Sequence, residues 1–224
     1  ILGASGMLGH MVSYYFKKKY HSDIFPCSRL KTDIVILDKI LIKINEYSKK
    51  QLSILINQNR PCKIINCVSI NDVNINNEKL NLINSELPKL LADILNTKND
   101  GSKLTHISTN GVFSGKRGDY VEFDNPDSTD VYGRSKLKGE VIKYPHLTIR
   151  TSIIGPQLKS NSGLLEWFLK QKNEESRFIG GCVRDLLIKK KDADIDMATT
   201  IVPNKVLELL KKNNIKTLTS GISH

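Results

Sequence analysis

The sequence lacks the features that mark several common classes of protein. Its 224 residues contain four cysteines, none of them in a Cys-x-x-Cys pair, and the five histidines do not cluster near them. The chain therefore offers neither a zinc motif nor a disulfide framework. No apolar run approaches the ~20 residues that span a bilayer, and no basic segment precedes an apolar stretch at the start. These absences predict a cytoplasmic protein that does not enter the membrane.

Acidic residues are outnumbered by basic ones. Against 23 aspartates and glutamates stand 34 lysines and arginines, which give a formal net charge of +11. That charge permits binding to nucleic acid or anionic nucleotides through their phosphates. The lysines are scattered along the whole chain, however. This distribution is typical of solvent-exposed faces and does not indicate one binding patch. The hydrophobic content of 39% and charged content of 25% are those of a globular protein.

Strands and helices alternate along most of the chain. Such alternation predicts parallel strands with helices on both faces, and a ligand site at the carboxyl ends of the strands. Pro88 predicts a kink or restart within the third helix. The stretch 111–130, rich in glycine and acids, predicts a long surface connection. The predicted helices cover 7–19, 48–59, 78–96, 132–143 and 206–212, and the predicted strands cover 63–68, 104–108 and 147–151.

A glycine-rich turn follows a strand stub at Ile1-Leu2 and opens the first helix. Glycines at this point let backbone N–H groups approach a pyrophosphate at the positive end of the helix. The pattern favours dinucleotide binding over a plain tight turn because it begins an alternating chain. The turn reads Gly3-Ala4-Ser5-Gly6-Met7-Leu8-Gly9.

The short apolar run 24–27 predicts a second strand after the stub at Ile1-Leu2. It leads into Ser28-Arg29, where an acid that binds a ribose hydroxyl is the usual residue. Arg29 could instead pair with a 2′-phosphate, which favours NADP over NAD. The alternative is an ordinary exposed arginine.

The central catalytic signal is Tyr132-Gly133-Arg134-Ser135-Lys136. A tyrosine and a lysine four residues apart on a helix lie one above the other. We expect the Lys136 ammonium to stabilise the tyrosinate and lower the pKa of Tyr132, so that the phenol can protonate a carbonyl oxygen. Ser108-Thr109 ends a predicted strand and can offer a hydroxyl to the same carbonyl. The alternative is a surface tyrosine packed over a lysine stem.

These motifs, in this order, resemble the extended short-chain dehydrogenase/reductase family, and within it the dTDP-4-dehydrorhamnose reductase type. The resemblance covers residues 1–172 and implies a Rossmann-type doubly wound parallel sheet that binds NAD(P). Asn110-Gly111 stands where the family usually has an aspartate and an aromatic or cysteine residue. The motifs that carry the resemblance are Gly3 to Gly9, Asn66-Cys67-Val68, His106-Ile107-Ser108-Thr109, Val112-Phe113-Ser114-Gly115, Tyr120-x-Glu122 and Tyr132 to Lys136.

The resemblance implies NADPH-dependent reduction of a nucleotide-linked 4-keto deoxy sugar, as in the biosynthesis of cell-surface polysaccharides. Thr109, Tyr132 and Lys136 would form the catalytic set, and an oligomer is compatible with the family. The implied cofactor-binding residues are Gly3, Ser5, Gly6, Met7, Leu8, Gly9, Arg29, Asn66, Cys67 and Val68.

The reductases continue with a carboxy-terminal substrate region, and this chain has a different sequence there. It reads Arg177-Phe178-Ile179-Gly180-Gly181-Cys182-Val183-Arg184-Asp185 and then Asp192-Ala193-Asp194-Ile195-Asp196-Met197-Ala198-Thr199. On these motifs, residues 177–224 resemble part of the head of CCA-adding tRNA nucleotidyltransferases and bacterial poly(A) polymerases, a small incomplete α/β fragment. By that resemblance Gly180, Gly181 and Arg184 would meet a nucleotide. Asp194 and Asp196 alternate along an extended segment, so both project from one face and could hold Mg²⁺.

The two partial resemblances leave three interpretations open. The first is a reductase that uses NADP or NAD on a nucleotide-sugar substrate. The second is a non-catalytic fusion product of two incomplete halves, inactive through truncation. The third is a nucleotidyltransferase fragment that would use Mg²⁺ and tRNA only if another chain completed it, since some 48 residues bury little surface.

Overall fold

A computed structural model of the chain describes residues 1–20, 23–29, 35–36, 39–40, 42–71, 75–158, 165, 176–179 and 196–212. The chain divides into two compact units, Ile1–Ile153 and Ile154–His224. The prediction of a reductase domain over 1–172 and a nucleotidyltransferase fragment over 177–224 stays a prediction.

The first unit contains both strands and helices. Its strands are β1 (Cys27–Ser28), β2 (Val35–Ile36), β3 (Lys39–Ile40), β4 (Ile42–Lys43), β5 (Lys63–Asn66), β6 (Lys103–Thr109) and β7 (Leu147–Thr151). Its helices are α1 (Met7–Tyr20), α2 (Lys49–Asn59), α3 (Asn77–Asn81), α4 (Leu87–Lys98) and α5 (Val131–Lys138), with a π-helical turn at Leu82–Glu86 and a 3₁₀ turn at Asn110–Val112. Strands and helices alternate from α2 onward, as the sequence predicts, whereas β1 to β4 follow one another between α1 and α2, and β2 and β3 form a separate antiparallel pair.

The sheet is parallel and doubly wound. Strand β1 pairs with β4, β5 pairs with β6, and β6 pairs with β7, each in parallel register. Leu2 bridges the two halves, because it pairs in parallel with both Cys27 and Asn66. The resulting order, β4–β1–Leu2–β5–β6–β7, is the Rossmann order 3-2-1-4-5-6. The strand order reverses beside Leu2, so the predicted ligand crevice lies where the glycine-rich turn begins.

The third predicted helix, 78–96, consists of three consecutive parts. Helix α3 is followed by the π-helical turn, and α4 restarts with Pro88 in its first turn. Proline is tolerated there because the first N–H groups of a helix have no intrahelical acceptor. The restart predicted at Pro88 is confirmed. Helix α4 buries Leu87, Leu91 and Leu95 against the sheet.

Helix α5 is shorter than the predicted 132–143, and that boundary was wrong. The helix ends at Gly139, where a Cβ atom would overlap the carbonyl oxygen of Asn84. The chain must therefore approach the π-helical turn closely at this point, and only glycine permits it. Strand β7 begins at Leu147, as predicted.

The connection 113–130 has no regular secondary structure, but several side-chain contacts within it hold its conformation. The side chain of Asp127 accepts hydrogen bonds from the backbone N–H of Ser114 at 2.7 Å and from its hydroxyl at 2.5 Å. The rings of Phe113 and Tyr120 stack with their centroids 4.5 Å apart. Arg117 pairs with Asp124. These bonds define the long surface connection that the sequence predicts.

The described part of the second unit contains the antiparallel pair β8 (Ser176–Ile179) and β9 (Asp196–Thr199), followed by α6 (Pro203–Lys212). Helix α6 contains the predicted helix 206–212 and begins three residues earlier. None of the helices in the described ranges combines the length and apolar character that a bilayer-spanning helix needs.

Candidate active site

The glycine-rich turn packs directly against the end of β5. Gly3 has a φ of +77°, and a Cβ atom there would lie 3.0 Å from the backbone of Cys67 and Val68. A Cβ atom on Gly9 would overlap the carbonyl of Gly3. The first turn of α1 therefore lies close against the loop, and the first N–H groups of a helix have no acceptor within the helix.

The other residues of the turn differ in exposure, and Ala4 is completely buried. Gly6 is exposed, while Ser5, Met7 and Leu8 are half-buried. The hydroxyl groups of Ser5 and Ser28 are 2.6 Å apart, which ties the turn to the end of β1. The next residue, Arg29, is exposed, and its guanidinium lies 5.5 Å from the centre of the Tyr47 ring. Arg29 therefore stands at the carboxyl edge of β1 beside the turn.

Asn66 ends β5 and is fully buried. Its side-chain oxygen accepts from the N–H of Val68 at 3.1 Å, and its amide nitrogen lies 3.2 Å from Nδ1 of His106. Burial, with the charge of Lys136 as the second cause, lowers the pKa of His106 to about 3, so the imidazole is neutral. Burial raises the pKa of Cys67 to about 11, and its thiol is not ionised at neutral pH.

Helix α5 carries the predicted catalytic pair, and its amino end is fixed on both sides. The side chain of Asp130 caps the helix by accepting from the N–H of Gly133 at 2.8 Å. A Cβ atom on Gly133 would overlap the carbonyl oxygen of Gly111 and crowd Ser128. The helix therefore lies directly on the turn that follows β6, and Tyr132 and Lys136 come next to the carboxyl end of that strand.

Lys136 is almost completely buried, with 1% of its surface exposed. Its ammonium donates a hydrogen bond of 2.7 Å to the carbonyl oxygen of Ile107 on β6. Burial lowers the pKa of Lys136 to about 8, while Cys67 and Glu140 act in the opposite direction. An ammonium has three donors, so two remain for a bound ligand after Ile107 takes one.

The electrostatic expectation for Tyr132 was wrong. Burial raises the pKa of its phenol, the hydrogen bond between its hydroxyl and that of Ser69 opposes the rise, and the charge of Asp130 adds to it. The Lys136 ammonium does not lower the phenol pKa in this structure, because its hydrogen bond goes to the backbone of Ile107. Tyr132 consequently holds its proton at neutral pH, which suits a proton donor better than a base.

The two hydroxyl groups at the end of β6 have different surroundings. Ser108 donates a hydrogen bond of 2.8 Å to Glu140, which also holds Arg150 through two bonds of 2.9 and 2.7 Å. Thr109 is half-buried, and its hydroxyl oxygen accepts from the N–H of Gly111 at 3.0 Å. The Thr109 hydroxyl keeps its own proton available as a donor, whereas Ser108 is committed to Glu140.

Two residues beside Tyr132 were missed in the sequence. The hydroxyl of Ser69 lies 3.4 Å from that of Tyr132 and 3.4 Å from the side-chain oxygen of Asn84. Asn84 is fully buried and donates to the carbonyl of Ile70 at 2.7 Å and to the hydroxyl of Ser135 at 3.0 Å. The sequence could have pointed to Asn84, because it is a single amide side chain between Ile83 and Leu87 on the apolar face of a helix.

The residues of the second motif are largely outside the described ranges. Gly180, Gly181, Arg184 and Asp194 all fall there. Asp196 begins β9, where its backbone pairs with Ile179. Within the described residues, no three His, Cys, Asp or Glu side chains form a group that could hold a metal ion.

Comparison with known proteins agrees with this architecture. Residues 1–176 match the family described as "RmlD substrate binding domain". The chain belongs to this family. Residues 176–224 of the RmlD-family chain match a second description, "Poly A polymerase head domain".

Two curated relatives represent the two halves. The "Probable low-salt glycan biosynthesis reductase Agl14" of Haloferax volcanii is 29% identical over 153 residues, 62% of this chain and 46% of the relative. The "CCA-adding enzyme" of Oceanobacillus iheyensis is 50% identical over 50 residues, 22% of this chain and 12% of the enzyme. The RmlD-family chain thus spans less than half the length of each relative.

Two solved structures show the same fold. A hypothetical dTDP-4-dehydrorhamnose reductase from Sulfolobus tokodaii superposes with a TM-score of 0.62 at 26% identity, covering 94% of this chain and 81% of the other. The dTDP-4-dehydrorhamnose reductase of Bacillus anthracis, in complex with NADP, has a TM-score of 0.57 at 27% identity, covering 72% and 55%. Both the reductase resemblance and the Rossmann-type fold are confirmed.

Proposed function

We propose that the RmlD-family unit reduces a nucleotide-linked 4-keto deoxy sugar with NADPH. The observation that carries the proposal is the position of Tyr132 and Lys136, one helical turn apart beside the end of β6. Membership of the family and the similarity to reductases support a sugar-nucleotide reaction at this edge of the sheet.

The crevice fits a nicotinamide dinucleotide. Any side chain at Gly3 or Gly9 would close the approach between the turn, the start of α1 and the backbone after β5. The amino end of α1, where the first N–H groups have no acceptor within the helix, suits a pyrophosphate. Arg29, at the end of β1, carries the positive charge that a 2′-phosphate requires, which favours NADP over NAD. The bound cofactor supplies the hydride that reaches the keto carbon.

The residues of the chain supply the proton and hold the reactants. Tyr132 keeps its proton at neutral pH and donates it to the keto oxygen as that oxygen gains charge. Thr109 keeps its proton and donates a hydrogen bond from its hydroxyl to the same oxygen, which polarises the carbonyl. Lys136 offers its two remaining N–H donors to the hydroxyl groups of the cofactor ribose.

The test is the loss of reduced-nicotinamide absorbance when NADPH is mixed with a dTDP- or UDP-linked 4-keto sugar. Tyr132→Phe removes the proton donor and should reduce turnover at least about 100-fold while leaving NADPH affinity unchanged. The matched control is Tyr144→Phe, since Tyr144 is 84% exposed. No turnover by the unchanged chain, or equal turnover by Tyr132→Phe, contradicts the proposal and favours a non-catalytic fusion product.

The choice of cofactor has its own test. Arg29→Leu should raise the Kd for NADPH about tenfold and leave that for NADH unchanged, because only NADPH has the 2′-phosphate. Equal changes for both cofactors contradict this role and make Arg29 an ordinary exposed residue.

A second candidate function concerns the other unit. The register of β8 and β9 places Ile179, which precedes Gly180 in sequence, opposite Asp196. That proximity favours a nucleotide site with Mg²⁺, as the match over residues 176–224 suggests. Transfer of labelled CTP or ATP onto tRNA tests it, and an unchanged transfer rate in Asp194→Ala and Asp196→Ala would exclude it.

A further inference from the structure

A buried ion pair lies at the carboxyl ends of β6 and β7, beside the proposed active site. Ser108 and Arg150 are directly opposite each other in the parallel register of these two strands. Both donate to Glu140, Ser108 through one bond of 2.8 Å and Arg150 through two bonds of 2.9 and 2.7 Å. The side chain of Glu140 is only 6% exposed, so its charge needs a close partner, and Arg150 provides one.

The same arginine also contacts the long connection between β6 and α5. Its guanidinium lies 5.1 Å from the centre of the Phe113 ring, and one of its N–H groups donates to the carbonyl oxygen of Glu122 at 3.4 Å. The Phe113 ring stacks on that of Tyr120, and the guanidinium of Arg117 lies 4.9 Å from the centre of the Tyr120 ring. Cations are attracted to aromatic rings at these distances. The contacts therefore join Arg150 on β7 to both halves of the connection.

The two ends of the connection meet next to the proposed catalytic residues. The N–H of Ser128 donates to the carbonyl oxygen of Val112 at 3.0 Å, which closes the connection into a compact loop. Thr109 lies three residues before Val112, at the end of β6, and Tyr132 lies four residues after Ser128, in the first turn of α5. The conformation of the connection therefore determines how Thr109 is placed relative to Tyr132.

The shape of the guanidinium explains how Arg150 makes both sets of contacts. A guanidinium is planar, so its N–H groups can bind a carboxylate as a fork while its face lies against an aromatic ring. A lysine at the same position would keep the charge that Glu140 needs, but it has neither the fork nor the flat face. Balancing the charge of Glu140 therefore requires only a cation, whereas holding Phe113 as well requires arginine.

We infer that Arg150 is a positioning residue, which holds the connection through Phe113 and so fixes Thr109 relative to Tyr132. Arg150 acts through the connection, and Thr109 and Tyr132 remain the groups that meet the keto oxygen. The kinetic consequence of this role rests on the proposed reductase function. The fixing of the connection itself does not, because it follows from the contacts of Arg150 within the chain.

Amide hydrogen exchange of the full chain tests the inference without any substrate. In Arg150→Lys, exchange at Gly111 and Ser128 should become at least about tenfold faster, because their N–H groups bond to the Thr109 hydroxyl and to the Val112 carbonyl. Exchange within β6 should not change, since lysine still balances the charge of Glu140. The matched control is Arg60→Lys at an exposed position after α2, which should leave all of these rates in place.

A second variant keeps the ion pair and removes the ring. Phe113→Leu leaves Arg150 bound to Glu140, and it should speed exchange at Gly111 and Ser128 in the same way. This variant decides the question if Arg150→Lys does not fold. Exchange that is the same as in the unchanged chain would overturn the inference. A rise spread evenly over β6 as well would also overturn it, since Arg150 would then only stabilise the sheet.

The kinetic measurement uses NADPH and a nucleotide-linked 4-keto sugar. In Arg150→Lys, kcat and kcat/KM should fall together by at least about tenfold while the Kd for NADPH stays the same, because Thr109 acts on the oxygen as it gains charge. Faster exchange with an unchanged kcat would overturn the positioning role. No turnover by the unchanged chain would contradict the proposed function alone, and the exchange rates would then decide the inference by themselves.

Discussion

The ammonium of Lys136 donates its 2.7 Å hydrogen bond to the carbonyl of Ile107, two residues before Thr109 on the same strand. This bond ties α5 to the end of β6 from within the protein. It fixes the height of Lys136 above the sheet, and with it the height of Tyr132 one turn earlier. The proposed active site is therefore positioned by a buried charge, whose pKa has consequences for stability.

The first prediction concerns pH. Burial lowers the pKa of Lys136 from its ordinary value of 10.5 to about 8. Between these values the unfolded chain keeps a proton that the folded chain has lost, so the free energy of unfolding rises with pH. Below about pH 8 Lys136 is protonated in both the folded and the unfolded chain. The folded chain then carries the full free-energy cost of burying the charge. The free energy of unfolding in urea should therefore rise by about 1–3 kcal/mol more in the unchanged chain than in Lys136→Met between pH 8 and pH 10.

The control for this prediction is Lys138→Met on the same helix. Lys138 is exposed, so Lys138→Met removes one positive charge from the same helix without removing a buried one, and it should change the free energy of unfolding by less than about 0.5 kcal/mol. A parallel pH dependence for the unchanged chain and Lys136→Met would show that Lys136 is not desolvated.

The second prediction concerns the glycine-rich turn. Gly9→Ala introduces a Cβ atom that overlaps the Gly3 carbonyl and crowds Ala4, so the start of α1 must move away from the loop. We expect thermal unfolding at least about 5 °C lower and no measurable dinucleotide binding by fluorescence titration. In Gly6→Ala the new atom lies 3.3 Å from the Gly3 carbonyl oxygen, and the loss of stability should be clearly smaller. Equal effects of the two substitutions would contradict the steric argument.

The third prediction concerns the buried amide of Asn84. Its side chain bonds both the N–H and the carbonyl of Ile70, at 2.9 and 2.7 Å, and also reaches Ser135. Asn84→Ala leaves these buried groups without partners and should lower the free energy of unfolding by about 2–4 kcal/mol in urea titration. Asn77→Ala, at an exposed position earlier in the same helical run, should change it by less than about 1 kcal/mol. Similar losses would mean that water replaces the Asn84 bonds.

Local patterns were enough to predict much of the fold. The bounds of β7 match the apolar run 147–151, and Ser48 lies at the predicted start of α2 and caps it. The alternation of strands and helices correctly predicted parallel pairing, because parallel strands require crossover helices. The early end of α5 at Gly139 was not predicted, since it depends on contact with Asn84, which is distant in sequence.

The sequence predicted which residues form the candidate site, but it did not predict the directions of their pKa shifts. Spacing alone brings Tyr132 and Lys136 onto one face of a helix. The direction of each pKa shift depends on burial and on tertiary hydrogen bonds, such as the bond from Lys136 to Ile107 and the bond between Ser69 and Tyr132. A sequence pattern contains neither, which explains why the expected lowering of the Tyr132 pKa was wrong.

The fourth prediction concerns Ser69, which the sequence did not single out. Its hydrogen bond to Tyr132 opposes the effect of burial on the phenol, so Ser69→Ala should raise the pKa of Tyr132 further. Because the oxygens are 3.4 Å apart, the bond is weak, and we expect this further rise in the pKa to be small. Ultraviolet titration of tyrosinate, with Tyr132→Phe as the subtraction, measures this shift without any substrate.

The reductase proposal gives the same substitution a kinetic consequence. A phenol with a higher pKa remains a proton donor to higher pH, so the alkaline limb of the turnover profile should move upward in Ser69→Ala by the same amount as the titration. Ser114→Ala, whose hydroxyl bonds Asp127 in the long connection, is the matched control and should leave both curves in place. If the titration shifts but the turnover profile does not, Tyr132 is not the group that limits proton transfer. If neither shifts, Ser69 does not reach the phenol in solution.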